Sequence, residues 1–331
     1  MVIMPDLRSS WATRLGSFLL VLWGVLSVNF LLPRLLPGDP IVALADPSSD
    51  SEASLERLAE RLESVYGMGG SFAEQYLLYL GRFLTGDLGT SFRLGVPVRD
   101  LVASHVGWTL LLIVPSLLVA TAIGIGAGAE AASRRGTWLD RTLIMAFSLT
   151  RGLPVQLIAM LLLMTFAVRL GWFPIGGAKS SSAGHGWWGA IVDVLWHWAL
   201  PAAVVTVGLI GVTFLVMRGS MVTVAAEPYL LMARAKGLSR RAVRYRHAAR
   251  NAILPVLTGF GARLGTAVSG VVIVETVFGY PGVGSLAAAS ITARDYPVLE
   301  AVFVVISVCV LVMNLVVDGL YRFLDPRVRA S

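Results

Sequence analysis

The sequence predicts an all-α protein that crosses a membrane several times. Hydrophobic residues make up 56% of the 331 residues, charged residues only 14%, and the mean hydropathy is +0.75. Soluble domains average about 25% charged residues. Six apolar stretches are long enough to cross a bilayer, and basic residues concentrate in every second connection between them. These observations exclude an ordinary soluble enzyme.

Each apolar stretch is interpreted as one transmembrane helix. The predicted spans are 15–36, 106–129, 142–169, 197–217, 252–278 and 298–320. The first resembles a signal peptide, but it is longer than an h-region and runs into Pro37-Gly38-Asp39-Pro40 without a cleavage site of small residues. We therefore expect it to be retained as the first span.

The net charge of +7 is distributed unevenly along the chain. Sixteen Lys and Arg residues fall in one set of segments, namely 1–14, 131–141, 218–250 and 321–331. The alternate segments hold seven, and they are 37–104, 170–196 and 280–297. Because loops rich in Lys and Arg stay in the cytoplasm, both termini are predicted to be cytoplasmic. The basic charge therefore sets topology and does not indicate a nucleic-acid partner.

The sequence predicts neither a metal site nor a cofactor site in this chain. Cys309 is the only cysteine, which excludes an internal disulfide and any multi-cysteine metal site. His185 and His197 have no acidic or cysteine companions at ligand spacing. The run Gly176–Ser180 resembles a phosphate loop but lacks the required spacing.

The segment 37–104 is too long to be a simple turn. Apolar residues at helical spacing within 55–65 predict one amphipathic helix. Ser71 and Glu74 form a capping-box pattern that begins a second helix, and Gly86–Ser91 is interpreted as a turn. A small external domain that receives a partner and a cap packed on the membrane domain both remain open.

The loop 218–250 holds eight Lys or Arg residues and one Glu. Glu227 and Pro228 suit the start of a helix, and Gly237 suits its left-handed end. A second helix is predicted from the N-cap Ser239 to Asn251. Attraction to anionic membrane lipid explains the charge but not the glycine hinge, so the loop also predicts a docking surface for a cytoplasmic subunit.

Further motifs resemble one known family. In the loop they are Glu227, Tyr229, Ala233, Arg234, Ala235, Lys236, Gly237, Arg246 and His247. Elsewhere they are Pro37–Pro40, Gln75-Tyr76, Gly86–Ser91, Glu275–Gly284, Arg294–Pro297, Asn314–Asp318 and Asp325–Arg327. Together they resemble ABC-importer permeases of the dipeptide/oligopeptide/nickel family over nearly the whole chain. The likeness is to the first of the two permease subunits, and the loop is similar to the family's EAA coupling loop.

The resemblance implies a type I ABC importer permease with six transmembrane helices. Its expected parts are 1–36, with the cytoplasmic N-terminus and span one; 37–104, external and helical; and 105–331, a five-span core with the coupling loop at 218–251. The implied partners are a homologous second permease, two ABC ATPases that bind ATP and Mg, and an external solute-binding protein. The implied location is a prokaryotic cytoplasmic membrane, and the chain itself is expected to catalyse no reaction.

The resemblance also implies roles for individual residues. The loop residues named above are expected to couple to the ATPases, with Ala233–Gly237 entering a groove on one of them. Asp87, Arg294 and Asp295 are candidates for contact with the binding protein. The translocation-pathway candidates are Arg151, Arg263 and Glu275. Intramembrane charges face a cavity or a partner. The two arginines therefore either meet a substrate carboxylate or another anionic group, or they snorkel or pair with Glu275, Glu300 or an acid of the partner permease.

The substrate and the transport class leave alternatives open. Peptides fit the resemblance best, while nickel or other metal chelates and glutathione-type peptides are the alternatives. A secondary transporter or channel is the competing class. It predicts inverted repeats, helices broken at mid-membrane and coupling carboxylates, and no clear repeat is visible in this sequence.

Overall fold

The computed structural model describes residues 11–35, 71–180 and 186–324. These residues form helices joined by turns; the bridge between Thr90 and Pro97 is isolated, and no strand occurs in these ranges. The helices are α1 (Trp11–Leu35), α2 (Phe72–Thr85), α3 (Val98–Ser133), α4 (Trp138–Gly152), α5 (Val155–Leu162), α6 (Trp187–Val224), α7 (Pro228–Ala235), α8 (Arg240–Ala242), α9 (Ala249–Ala252), α10 (Leu254–Val277), α11 (Val283–Ala293) and α12 (Tyr296–Leu324). Two π-helical segments, Leu163–Arg169 and Val243–Ala248, follow α5 and α8. The predicted all-α class is confirmed.

The predicted third span is not one continuous helix. The chain bends by 103° between α4 and the helix that begins at Val155. Pro154 disfavours helical geometry at the residue before it, and Leu153 is extended, with φ −88° and ψ 131°. In the described ranges, α3 and α6 are long and apolar enough to cross a membrane, and the bent pair is a third candidate. The count of six spans stays a prediction.

The chain divides into two compact units, each discontinuous in sequence. The first contains the described residues up to Gly107 together with Ser285–Val312. The second contains Trp108–Gly284 together with the described residues from Met313 onward.

In the first unit, α2 begins and ends as the sequence predicts. Ser71 N–H donates to Glu74 Oε2 at 2.8 Å, and Glu74 N–H donates to Ser71 Oγ at 3.4 Å. Gly86, with φ 71°, ends the helix. Tyr76 hydrogen-bonds Ser27 of α1, so α2 is tied to α1. The helix predicted within 55–65 lies outside the described residues.

In the second unit, α6 packs against α4, α5 and α10. It also approaches α3 closely at two buried glycines. A Cβ added at Gly124 would lie 2.7 Å from the side chain of Thr213, and one added at Gly128 would lie 2.8 Å from the carbonyl oxygen of Phe214. Small residues let helices approach to backbone contact. The pair α3 and α6 therefore depends on glycine at these positions.

We expect Gly128→Ala to lower the free energy of unfolding by about 1–3 kcal/mol, because the backbone of α6 cannot move aside for the added methyl group. Gly126→Ala is the matched control, since nothing lies within 4 Å of a Cβ there, and alanine favours a helix over glycine by about 1 kcal/mol. The measurement is the thermal midpoint of each purified variant in detergent. Equal midpoints for the two variants would contradict the close contact.

Candidate functional site

The loop after α6 folds into the predicted short helix and hinge. The helix α7 begins at Pro228, and Gly237 adopts a left-handed φ of 77°. Ser239 Oγ accepts a hydrogen bond from Ala242 N–H at 3.2 Å, which caps α8. The expected continuous second helix is instead α8, the π-helical segment Val243–Ala248, and α9. A π-helical turn leaves no proline or glycine signal in this stretch, so the sequence does not reveal it.

The helix α7 has one face buried in its own chain and one face exposed. Leu230 and Ala233, three residues apart, lie in an apolar cluster with Met217, Met221, Val243, Ala248 and Val256. Leu231 and Met232 point away from this cluster and are exposed, Met232 by 63%. The chain thus fixes α7 by its inner face and leaves an apolar outer face uncovered.

Ala233 is buried within this chain and is not available to a partner, unlike the other residues predicted to couple to the ATPases. It was expected to enter a groove on a partner, but only 6% of it is exposed, and it packs within this chain. The other coupling candidates are exposed or, for His247, half-buried; the exposed ones are Glu227, Tyr229, Arg234, Ala235, Lys236, Gly237 and Arg246. Sequence reasoning missed Leu231 and Met232. Their spacing of four and three residues from Ala235 was the available signal.

Hydrogen bonds and ion pairs hold this loop to the rest of the second unit. The Tyr229 hydroxyl accepts a hydrogen bond from Asn251 Nδ2 at 2.8 Å, which joins α7 to α9. Arg244 of the π-helical segment pairs with Glu130 of α3 at 2.6 Å. Arg218 of α6 binds the buried Asp140 of α4 through two hydrogen bonds of 2.7 and 2.8 Å. None of these contacts was predicted from sequence, because their partners lie far apart along the chain.

Glu275, a pathway candidate, is fully buried at the end of α10. Its Oε1 accepts a hydrogen bond from Thr109 Oγ1, and its Oε2 accepts one from Gly284 N–H, both at 2.7 Å. Thr109 Oγ1 in turn accepts a hydrogen bond from Val283 N–H at 2.8 Å. The carboxylate therefore ties the turn between α10 and α11 to α3.

Tyr280 lies in the same turn and is also buried. Its ring meets the ring of Trp108 edge-on, with centroids 5.9 Å apart. Burial, and secondarily the nearby Glu275, raises the pKa of Tyr280 to about 12. Its phenol therefore stays neutral at physiological pH.

The two arginines predicted to line the pathway, Arg151 and Arg263, lie in different helices. Arg151 is exposed in the last turn of α4, beside the 103° bend, and a cation is favourable at a helix C-terminus. The backbone of Arg263 lies within α10, and its side chain lies outside the described residues. Their roles stay predictions.

Asp295, a predicted binding-protein contact, is only 3% exposed. It accepts hydrogen bonds from Ser91 Oγ, from Phe92 N–H at 3.0 Å and from Arg93 N–H at 3.3 Å. It therefore anchors the turn after α2 and does not present a surface carboxylate. Asp87 is exposed, and its Oδ1 accepts a hydrogen bond from Gly89 N–H at 3.0 Å.

Arg294, next to Asp295, has a φ of 51°. That left-handed conformation costs a non-glycine residue about 1–2 kcal/mol. The hydrogen bonds of Asp295 offset part of this cost. Arg294 is half-buried, so Asp87 is the most accessible of the three predicted contact residues.

We expect Asp295→Ala to loosen the turn at 91–93 by about 2 kcal/mol, because two backbone N–H groups lose a buried acceptor. Hydrogen exchange of the amides in this turn is the measurement, and exchange should become faster. Asp87→Ala removes an exposed carboxylate with one local bond and should change exchange at 91–93 little. Equal exchange at 91–93 in both variants would contradict the anchoring role.

No group of three or more His, Cys, Asp or Glu side chains suited to a metal ion occurs in the part of the chain that the structure describes. The long apolar helices and the basic loop with an exposed helix are features of a membrane transport subunit. The chain belongs to the family described as binding-protein-dependent transport system inner membrane component, which matches residues 120–330. This family places the chain among ABC transporter permeases and not among secondary transporters or channels, although the bent helix and the buried Glu275 are features expected of that class.

Two relatives are similar in sequence to this chain over nearly its whole length. The oligopeptide transport system permease protein AppB of Bacillus subtilis (strain 168) is 36% identical over 310 residues, which are 93% of this chain and 95% of that protein. The glutathione transport system permease protein GsiC of Escherichia coli O6:H1 is 35% identical over 300 residues, 91% of this chain and 92% of that protein.

A solved structure shares the fold. A chain of the MetNI methionine ABC transporter, in an inward-facing conformation, matches with a TM-score of 0.55 and 17% sequence identity. The match covers 68% of this chain and 96% of that chain. At this identity the likeness shows the fold alone.

Proposed function

We propose that this chain is the first of two permease subunits in an ATP-driven importer that moves di- and oligopeptides inward across a prokaryotic cytoplasmic membrane. The observation that carries the proposal is the outer face of α7, where Leu231 and Met232 are exposed on a helix that the chain holds rigidly by its inner face. An apolar surface so presented on a basic loop fits docking by a partner. The peptide substrate follows the names of the relatives.

In the proposed assembly, two ABC ATPases bind ATP and Mg and dock on the α7 surface of this chain and of a homologous permease. The chain crosses the membrane six times, with both termini and the loop 218–250 in the cytoplasm, as the distribution of Lys and Arg favours. ATP binding then drives a rigid-body switch between inward- and outward-facing states. No residue of this chain forms a covalent intermediate or hydrolyses ATP.

On the opposite side, an external solute-binding protein delivers the peptide. The proposed contacts are Asp87 and Arg294, while Asp295 shapes the turn beside them. Arg151 and Arg263 are the proposed pathway cations, and a peptide's terminal carboxylate is the group they would meet. Glutathione is a second candidate substrate, favoured by the similarity to GsiC.

The test is transport by the complete complex in proteoliposomes. The chain is co-expressed with its second permease, its ATPases and its binding protein, and uptake of radiolabelled dialanine and of radiolabelled glutathione is measured with and without ATP. ATP-dependent uptake of the dipeptide supports the proposal, and uptake of glutathione alone supports the second candidate. Uptake by this chain without ATPases would overturn both.

A further inference from the structure

Glu130, near the end of α3, joins the loop that contains α7 to that helix. Arg244 Nη1 lies 2.6 Å from Glu130 Oε2, and the Tyr245 hydroxyl donates a hydrogen bond to the same oxygen at 3.2 Å. The other oxygen, Oε1, pairs with Arg134, the residue that follows α3, whose Nε lies 2.6 Å away. One carboxylate thus makes a local pair and a long-range pair.

The two pairs differ in their surroundings. The side chains of Arg244 and Glu130 are 25% and 28% exposed, whereas that of Arg134 is 57% exposed. Water screens an exposed pair along one helix, and such pairs contribute little to stability. The long-range pair is better shielded, and the tyrosine hydroxyl adds a second bond to it. It is therefore the stronger link.

A second ion pair holds the α3–α4 connection at its other end. Asp140 is buried and accepts two hydrogen bonds from Arg218 and one from Gly136 N–H at 3.0 Å. Arg218 precedes α7 in sequence and Arg244 follows it. Each end of the short connection between α3 and α4 is therefore held by an arginine, one that precedes α7 in the sequence and one that follows it.

The contacts around α7 allow the Glu130–Arg244 pair to carry a movement of α7 to α3. The inner face of α7 shares its apolar cluster with Val243 and Ala248, and Tyr229 bonds Asn251, so α7 and the π-helical segment form one body. On the other side of the link, Gly124 and Gly128 hold α3 at backbone distance from α6. The same cluster includes Ala129 of α3, so a displacement of α7 reaches α3 through this packing and through the Glu130–Arg244 pair.

We propose that Glu130 and Arg244 are positioning residues that transmit the movement of α7 to α3, while the buried Asp140–Arg218 pair is the fixed point of the same connection. This inference rests on the proposed function, because it requires ATPases that move α7. A partly exposed pair can separate and re-form during a two-state switch, whereas breaking a buried pair leaves an uncompensated charge.

The test measures peptide transported per ATP hydrolysed by the reconstituted complex. Glu130→Gln and Arg244→Gln each remove the long-range pair, and we expect this ratio to fall about three- to tenfold, the range of modest coupling energies between sites. The ATPases should still co-purify with both variants, because the docking face of α7 is unchanged. Arg134→Gln removes only the local pair of Glu130 and should leave the ratio unchanged.

Rescue separates a coupling role from a merely structural one. The triple variant E130R/R134Q/R244E restores an ion pair with its charges exchanged, and the Arg134 change removes repulsion between positions 130 and 134. We expect it to recover most of the lost ratio, even if the single variants assemble poorly. A wild-type ratio in both single variants overturns this inference, as does a triple variant that fails to assemble or to recover.

Failure of the proposed transport function and failure of the Glu130–Arg244 linkage give different results. If the wild-type chain neither retains ATPases nor transports peptide with ATP, the proposed function fails. If the wild-type complex transports normally and the Glu130 and Arg244 variants keep its ratio, only the linkage fails.

Discussion

Replacing Met232 by aspartate is expected to detach the ATPase subunits while leaving the chain folded. Met232 is exposed on the outer face of α7, opposite the buried Leu230 and Ala233, so the substitution leaves the buried apolar cluster intact. At a docked interface the new carboxylate must give up its water without a partner, which is costly. We expect the affinity for the ATPase to fall about 30-fold or more, as at interface hot spots.

Two quantities are measured: the amount of ATPase that co-purifies with the chain, and the thermal midpoint of the chain itself in detergent. Met232→Leu keeps the apolar surface and should retain the ATPase. Ala233→Leu overfills the inner face and should lower the midpoint of the chain itself. Full ATPase retention by the aspartate variant would show that docking does not use this face of α7.

Replacing Gly282 by alanine is expected to destabilise the second unit strongly. A Cβ at this position would overlap both carboxylate oxygens of Glu275. That carboxylate is buried and cannot move aside without giving up its bonds from Thr109 and Gly284. Hydrogen bonds to charged groups are worth about 1.5–3 kcal/mol each, so we expect the free energy of unfolding to fall by about 3 kcal/mol or more.

The same substitution at Gly126, where a Cβ meets nothing within 4 Å, is again the control. Thermal midpoints in detergent are compared for the two variants. Gly126→Ala should melt at or slightly above the wild-type temperature, and Gly282→Ala well below it. A Gly282→Ala chain as stable as the control would mean that the carboxylate is free to move, and that Glu275 does not fix this turn.

Local signals in the sequence predicted local structure well. The capping pair Ser71 and Glu74 predicted the start of α2, and Pro228 and Gly237 predicted the limits of the docking helix, because each acts within a few residues. The bend at Pro154 was missed although the proline is visible. A long apolar composition indicates that a segment is buried or in lipid, but it does not indicate the direction of the chain.

The site was predicted less completely, and the reason is the distance between partners. Whether Asp295 is a surface carboxylate or a buried anchor depends on Ser91, 204 residues away. The role of Glu275 depends on Thr109, 166 residues away, and that of Glu130 on Arg244, 114 residues away. No periodicity or motif encodes such pairings. The sequence therefore singled out Asp295 and Glu275 as candidates without predicting which contacts their side chains make.

The discontinuity of the first unit sets an order on biosynthesis. Asn29 of α1 donates a hydrogen bond to the carbonyl oxygen of Glu300, 271 residues later in the chain. At about 5–20 residues per second, the ribosome needs roughly 15 to 50 seconds to make the intervening chain. Throughout that interval the nascent α1 and α2 lack the segment that completes their unit. Asn29 can therefore form this contact only after the start of α12 has been made.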